Sequence, residues 1–240
     1  TRHKDHALGL YYSMSHVHTE ILKTPDSKPG TTDFYADNVA YMDKLVGELM
    51  DKLDELKLRD RTLVLFVGDN GTAPMFADRS TVHGRPLSGH KGDMREGGSL
   101  VPMIASWPGH VPAGPTSDSL VANTESLPPI TTLGGAPLPD GVAVDGHSFA
   151  AEVLGQTPHP RDWVFVELGR HWYARSLTHK LDKAGNLYDM SKAPFEEPVI
   201  PATSTDPADA AARKQLQAVL DKLAPASGKV HQGEDSGKHD

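Results

Sequence analysis

The feature that most restricts how this chain can fold is the run Thr-Leu-Val-Leu-Phe-Val at residues 62–67, which passes directly into Gly68-Asp69-Asn70-Gly71. A short, unbroken apolar run bounded by glycine reads as a strand buried on both faces. Ahead of it, Tyr35, Val39, Met42, Leu45, Val46, Leu49, Leu53 and Leu56 recur at three- and four-residue spacing, which predicts an amphipathic helix over 33–56. Thr31 and Thr32 are its N-cap candidates and Asp33 suits its first turn. The charged run from Asp43 to Glu55 reads as its solvated face. Earlier still, residues 7–13, Ala-Leu-Gly-Leu-Tyr-Tyr-Ser, read as another short apolar strand. Strand, helix and strand make a βαβ unit, so the expected class is α/β, with a mostly parallel sheet sandwiched by helices. In such a sheet ligands gather outside the carboxyl ends of the strands. His16 and His18, in Ser-His-Val-His, fall at one such end, and Asp69 with Asn70 at the next.

The texture then changes twice. Residues 71–102 form a long glycine-rich segment with no strand pattern, and loops of that length in a compact domain carry function or are disordered. Residues 101–109 read as a further buried strand closed by Pro108-Gly109, and residues 145–155 as a short amphipathic helix. From 163 onward, short strand-like pieces at hairpin spacing predict a small antiparallel sheet, followed by a capped helix over 206–224. The expected organisation is a core over 1–162, a small antiparallel α+β subdomain over 163–225, and a polar, disordered tail over 226–240.

Composition removes several function classes. The formal charge of −8 and the absence of a basic stripe argue against a nucleic-acid surface. No apolar run approaches the length of a membrane-spanning helix. With no cysteine, the chain has no disulfide, no zinc–thiolate site and no cysteine nucleophile. Its first residues, Thr-Arg-His-Lys-Asp-His, read as neither a signal peptide nor a domain start, so further residues are expected upstream.

Asp69 and Asn70 offer hard oxygen donors, which suit Ca²⁺ or Mg²⁺ rather than a soft metal. The same Asn-Gly is equally a turn dipeptide, and two donors do not complete a shell of six or more. Lys91, framed by glycine in Gly-His-Lys-Gly, can bring a point charge to an anionic oxygen, although a solvated surface lysine is the commoner case. His18 could protonate a leaving group or hold an anion, but it is one of 13 histidines.

Taken in order, these pieces resemble the sulfatase family. The matching segments are YYSMSHVHT, DRTLVLFVGDNG, LSGHKGDMREGGSLVPMIASWPGHVPAG, VDGHSFAAEVLG and GNLYDMSKAPFEEP, which together reach across most of the chain. The third is the most specific, with Lys-Gly, Glu-Gly-Gly, Val-Pro and Trp-Pro-Gly in register. The resemblance implies a partial alkaline-phosphatase-like α/β fold with a small C-terminal antiparallel subdomain. It implies that Asp69 and Asn70 bind Ca²⁺, that Lys91 contacts the sulfate and leaving-group oxygens, and that His18 contacts the ester and assists leaving-group departure, with His16 the weaker match. Two departures stand out: Glu20 replaces the family's proline after the histidine, and Ser99-Leu100 replaces its Ile-Arg.

The family's nucleophile is formylglycine, formed within Cys/Ser-x-Pro-x-Arg. No such motif occurs, because Ser27-Lys28-Pro29-Gly30-Thr31 lacks the arginine. The expectation is therefore a sulfatase portion that supplies Ca²⁺- and sulfate-binding residues, inactive alone, with formylglycine in a missing N-terminal half and a periplasmic or secreted location. The substrate would be an aryl sulfate or a sulfated glycan. Two alternatives are a phosphate or phosphonate ester hydrolase of the same superfold, and a non-catalytic glycan-binding module.

Overall fold

A computed structural model describes residues 8–125, 127–135, 137, 138, 141, 146–156 and 161–223. In chain order the elements are α1 (Phe34–Glu55), β1 (Val64–Val67), α2 (Pro74–Ala77), α3 (Glu96–Ser99), β2 (Met103–Ser106), α4 (Leu127–Gly134) and α5 (Ala150–Val153), then β3 (Val164–Leu168), β4 (His171–Arg175), β5 (His179–Asp182), β6 (Leu187–Asp189), β7 (Val199–Ile200) and α6 (Pro207–Leu223). Single-turn 3₁₀ segments lie at Arg59–Arg61 and Asn123–Glu125.

The C-terminal part holds the apolar core. Its five strands pair antiparallel in sequence order, β3-β4-β5-β6-β7. Register places Phe165, Ala174, Leu181, Leu187 and Ile200 opposite one another in a single row across the sheet. Because side chains alternate between faces along a strand, that row occupies one face, and Leu216, Val219 and Leu220 of α6 pack onto it. Each of these three recurs at helical spacing, and Asp206 caps the helix by accepting from the Ala208 amide at 2.8 Å. The same alternation sends Tyr173, Arg175, Lys180 and Tyr188 to the opposite face.

The N-terminal part is built differently. Asp33, not Thr31 or Thr32, caps α1, its Oδ1 accepting from the Ala36 amide at 3.1 Å. Among the described residues β1 pairs with β2 alone, antiparallel, with Val64 opposite Ser106 and Val67 opposite Met103. The expected parallel pairing of β1 with a strand over 7–13 is not formed: residues 8–13 carry no strand, and Leu8 and Tyr11 are 80% and 93% exposed. An apolar run becomes a strand only where a neighbour takes up its backbone N–H and C=O groups, and among the described residues none does so there. Between 8 and 125 the buried residues are Asn38, Glu96, Gly97 and Glu125, none of them an apolar side chain. Ile104 is 58% exposed, and open grooves of about 590 and 580 Å³ run along α1, the larger lined by Tyr35, Val39, Phe76 and Arg79. The tail expected over 226–240 lies outside the described residues.

Candidate active site

β1 delivers Asp69 and Asn70 at its carboxyl end, as the apolar pattern predicts. The segment is fixed by backbone bonds on both sides: the Gly68 amide donates to Pro102 O at 3.0 Å and the Gly71 amide to Gly98 O at 3.0 Å. Gly71 is there because nothing larger fits; a Cβ on it would lie 1.9 Å from Gly97 O. Asp69 and Asn70 are exposed, and Asn70 Nδ2 donates to Asp69 Oδ2 at 2.6 Å.

One residue beyond Gly71, Thr72 O accepts from the Lys91 amide at 2.8 Å, which docks the lysine loop directly against this segment. Lys91 Nζ reaches 3.4 Å from His18 Nε2. Ammonium has only donors, so it donates to an imidazole whose Nε2 carries the lone pair. His18 Nδ1 lies against Thr19 O, where a proton on Nδ1 is required, and the two contacts select the same tautomer. His16 takes a different position, tilted against the Tyr41 ring at 5.4 Å, and its buried Nδ1 has no partner. The structure thus joins His18 to Lys91 and sets His16 apart. Neither groove along α1 includes Asp69, Asn70, Lys91 or His18; the chemistry-bearing groups lie on the open edge above the sheet.

The loop around Lys91 is held by its glycines and by a tight carboxylate–guanidinium pair. The Gly97 amide donates to Ser88 O at 2.6 Å. Arg95 Nε donates to Asp93 Oδ2 at 2.8 Å, and that hydrogen bond holds the Asp93 carboxyl below the usual carboxylate range.

Sequence reasoning missed the support beneath. Arg175 of β4 pairs with Glu96, and Lys180 of β5 pairs with Glu197. Glu197 Oε1 also accepts from the Glu96 amide at 2.8 Å, Lys180 Nζ donates to Met94 O at 3.2 Å, and Ser99 Oγ and Tyr173 Oη share a hydrogen bond of 2.7 Å. The available signal was the two-residue alternation in HWYARSLTHKLD, which turns Tyr173, Arg175 and Lys180 away from the apolar row. A third buried carboxylate, Glu125, accepts from Arg161 Nη1 at 2.5 Å and from the Ala122 amide at 2.8 Å, fixing the stretch that follows β2.

The carboxylate and amide of Asp69 and Asn70 fit a hard divalent cation by donor type and fall short of one by number. Among the described residues no three His, Asp or Glu side chains gather into a metal site, and no helix is long and apolar enough to cross a membrane.

Comparison with solved structures defines the class. The chain matches the crystal structure of Ps i-CgsB with a TM-score of 0.72 at 23% identity, covering 92% of this chain and 51% of that one. It matches BT4656, solved in complex with its substrate D-glucosamine-2-N,6-O-disulfate, with a TM-score of 0.62 at 20% identity, covering 86% and 42%. The fold is the alkaline-phosphatase-like α/β fold with an antiparallel C-terminal sheet. The sequence profile described as Sulfatase matches residues 3–136, more than half of the chain. Arylsulfatase A of Homo sapiens is 35% identical over 164 residues, covering 68% of this chain and 32% of that protein, and human steryl-sulfatase is 33% identical over 153 residues, covering 62% and 26%. This chain belongs to the sulfatase family. It spans about a third of the length of the curated relatives it matches.

Proposed function

We propose that the chain forms part of a sulfuric ester hydrolase, in which Lys91 and His18 contact the sulfate ester while Asp69 and Asn70 supply two of the oxygen ligands of a Ca²⁺ ion, Mg²⁺ being the chemical alternative. The observation that carries this reading is the Lys91–His18 contact at 3.4 Å on a loop docked to the Asp69 segment through Thr72. Cleaving the S–O bond of a sulfate ester leaves charge on the departing oxygen, and that charge needs a proton or a cation. Lys91 places its ammonium on the anionic oxygens. His18 keeps Nδ1–H on Thr19 O; when the Lys91 ammonium moves from Nε2 onto the sulfate oxygens, Nε2 is freed, and once it has taken up a proton it can donate that proton to the leaving oxygen. The cation, when bound, supplies fixed positive charge for the sulfate group.

The nucleophile lies outside residues 1–240, which contain neither cysteine nor Ser-x-Pro-x-Arg. We assign 1–162 to the C-terminal half of the catalytic core and 163–225 to the antiparallel subdomain. The remainder of the same protein is the partner that covers the open apolar surface of α1, β1 and β2 and brings the formylglycine and the other metal ligands. That uncovered surface counts against a self-contained glycan-binding module, since stable monomers rarely expose so much. We take an aryl sulfate or a sulfated glycan as the proposed substrate and a periplasmic or secreted location as the proposed site of action, both on the family resemblance alone.

The test is turnover of an aryl sulfate by the protein read from the native transcript, with Lys91→Ala and His18→Ala alongside. Loss of an oxyanion-type donor lowers kcat by about 10²–10³-fold, and loss of a general acid by about 10²–10⁴-fold. Equal turnover by Lys91→Ala, or a preference for phosphate over sulfate esters, overturns the reading.

A further inference from the structure

We propose that Arg175, Lys180, Glu96 and Glu197 form a positioning cluster through which the C-terminal sheet holds the Lys91 loop against segment 68–72. Arg175 and Lys180 stand directly opposite one another on neighbouring strands, an arrangement that like charges disfavour. Both side chains are nonetheless largely shielded from solvent, 12% and 4% exposed, and so are those of Glu96 and Glu197 at 4% and 3%. The two carboxylates that neutralise them come from outside the sheet. Glu96 opens the turn α3 within the lysine loop, and Glu197 lies in the connection from β6 to β7.

A buried cluster of this kind contributes little net stability compared with apolar residues of the same volume. What it supplies is direction. Arg175 takes the Glu96 carboxylate, Glu197 takes the Glu96 amide, Lys180 takes Met94 O, and Tyr173 takes Ser99. The loop is therefore gripped before and after Gly97. Gly97 in turn donates to Ser88 O, Gly98 O accepts from the Gly71 amide, and Thr72 O accepts from the Lys91 amide. No sulfate or metal contact is assigned to any of the four charged groups. They act through the backbone of the loop and are positioning residues. A consequence for catalysis rests on the proposed role of Lys91, but the placement of the loop does not.

Amide hydrogen exchange of the protein read from the native transcript tests this without any turnover. The probes are the Lys91 and Gly71 amides, compared in Arg175→Met and in Leu216→Ala, which damages the same sheet from its other face. Arg175→Met is expected to speed exchange at both probes by at least about tenfold over Leu216→Ala, once rates are compared at equal loss of Tm. Arg175→Lys, which keeps the charge and loses the fork, is expected to recover part of the protection. Should Arg175→Met not fold, Tyr173→Phe decides, because it removes only the hydroxyl that meets Ser99; it is expected to speed exchange at Gly71 and Lys91 while α6 amides stay protected. Equal acceleration by Arg175→Met and Leu216→Ala, or no change at these amides in Tyr173→Phe, overturns the cluster as a positioning device.

Discussion

Substituting alanine at Gly97 isolates what the glycine knot does, because the backbone there is not in the left-handed region and only the added methyl matters. A Cβ on Gly97 would lie 2.1 Å from Gly89 O, 2.5 Å from its carbonyl carbon and 2.8 Å from Ser88 O, where ordinary contact begins at 3.4 Å. All three atoms belong to backbone, so no side chain can rotate away. The strand of loop carrying Gly89 must retreat by roughly 1.3 Å, and close-packed interiors transmit such a shift rather than absorb it. Overpacking of this kind costs about 1–3 kcal/mol. Retreat also lengthens the bond from the Gly97 amide to Ser88 O, whose loss adds about 1 kcal/mol. The expected total is about 2–4 kcal/mol, read as a fall in the urea midpoint at unchanged m. The same change at Gly47, exposed on α1 with nothing within 4 Å of its Cβ, is expected to raise stability by about 0.5–1 kcal/mol. Lys91 lies between Gly89 and Gly97, so Gly97→Ala should also perturb the Lys91 amide resonance, whereas Gly47→Ala should not. A Gly97→Ala protein with an unchanged midpoint and an unshifted Lys91 resonance would refute the reasoning, since it would mean the loop can yield without cost.

Two further outcomes concern pH. The hydrogen bond from Arg95 holds the Asp93 carboxyl below its usual value, so its stabilising contribution is present above the unfolded pKa and is lost as pH falls through the folded one. The stability gap between wild type and Asp93→Asn should be open at pH 7 and narrow progressively below about pH 4; a gap that does not narrow as pH falls below about 4 would contradict it. Burial pushes the Tyr173 and Tyr188 phenols up to about 12; for these groups the contribution is complete below pH 10 and is lost as pH rises through the folded value. Of the six tyrosines, two should therefore ionise late in a spectrophotometric titration and give normal curves in denaturant.

Periodicity exposed the elements whose partners are local. α1 was legible in its apolar spacing, β1 in its unbroken run, and the hairpins and α6 in their turns and caps. Its limits follow from what sequence spacing contains. Asp33 rather than Thr31 or Thr32 caps α1 because the cap is decided by which side chain reaches the Ala36 amide, a choice of one turn among adjacent candidates. The apolar run at 8–13 looked like a strand because side-chain character was read without asking what would pair with its backbone. Pairing direction was missed for the same reason: a strand–helix–strand pattern says nothing of β2, 36 residues beyond β1 along the chain, which takes up its hydrogen bonds. At the site, Asp69, Asn70 and Lys91 were visible because glycines frame them. Glu96, Arg175, Lys180 and Glu197 were not, since ion pairs between residues 79 and 17 positions apart leave no local mark on either partner.

The placement of the core gives the site its character. Apart from Pro128 and Pro129, every buried apolar side chain among the described residues lies at Phe149 or beyond, yet Asp69, Asn70, Lys91 and His18 all lie before residue 92. Two strands and an open helix face make a poor platform by themselves, and metal or anion ligands need fixed geometry. The residues that meet this need are polar: the glycine knot joins Lys91 to the end of β1, and the Glu96–Arg175 and Glu197–Lys180 pairs join that knot to the part of the described chain that holds the apolar core. Apolar contacts could not do the same, because an interface built on them tolerates sliding, whereas a carboxylate locked between an ammonium and a backbone amide, as Glu197 is between Lys180 and the Glu96 amide, has one register. Rigidity in the site is thus set from the far face of the antiparallel sheet, through charges that touch neither ester nor cation in the proposed reaction.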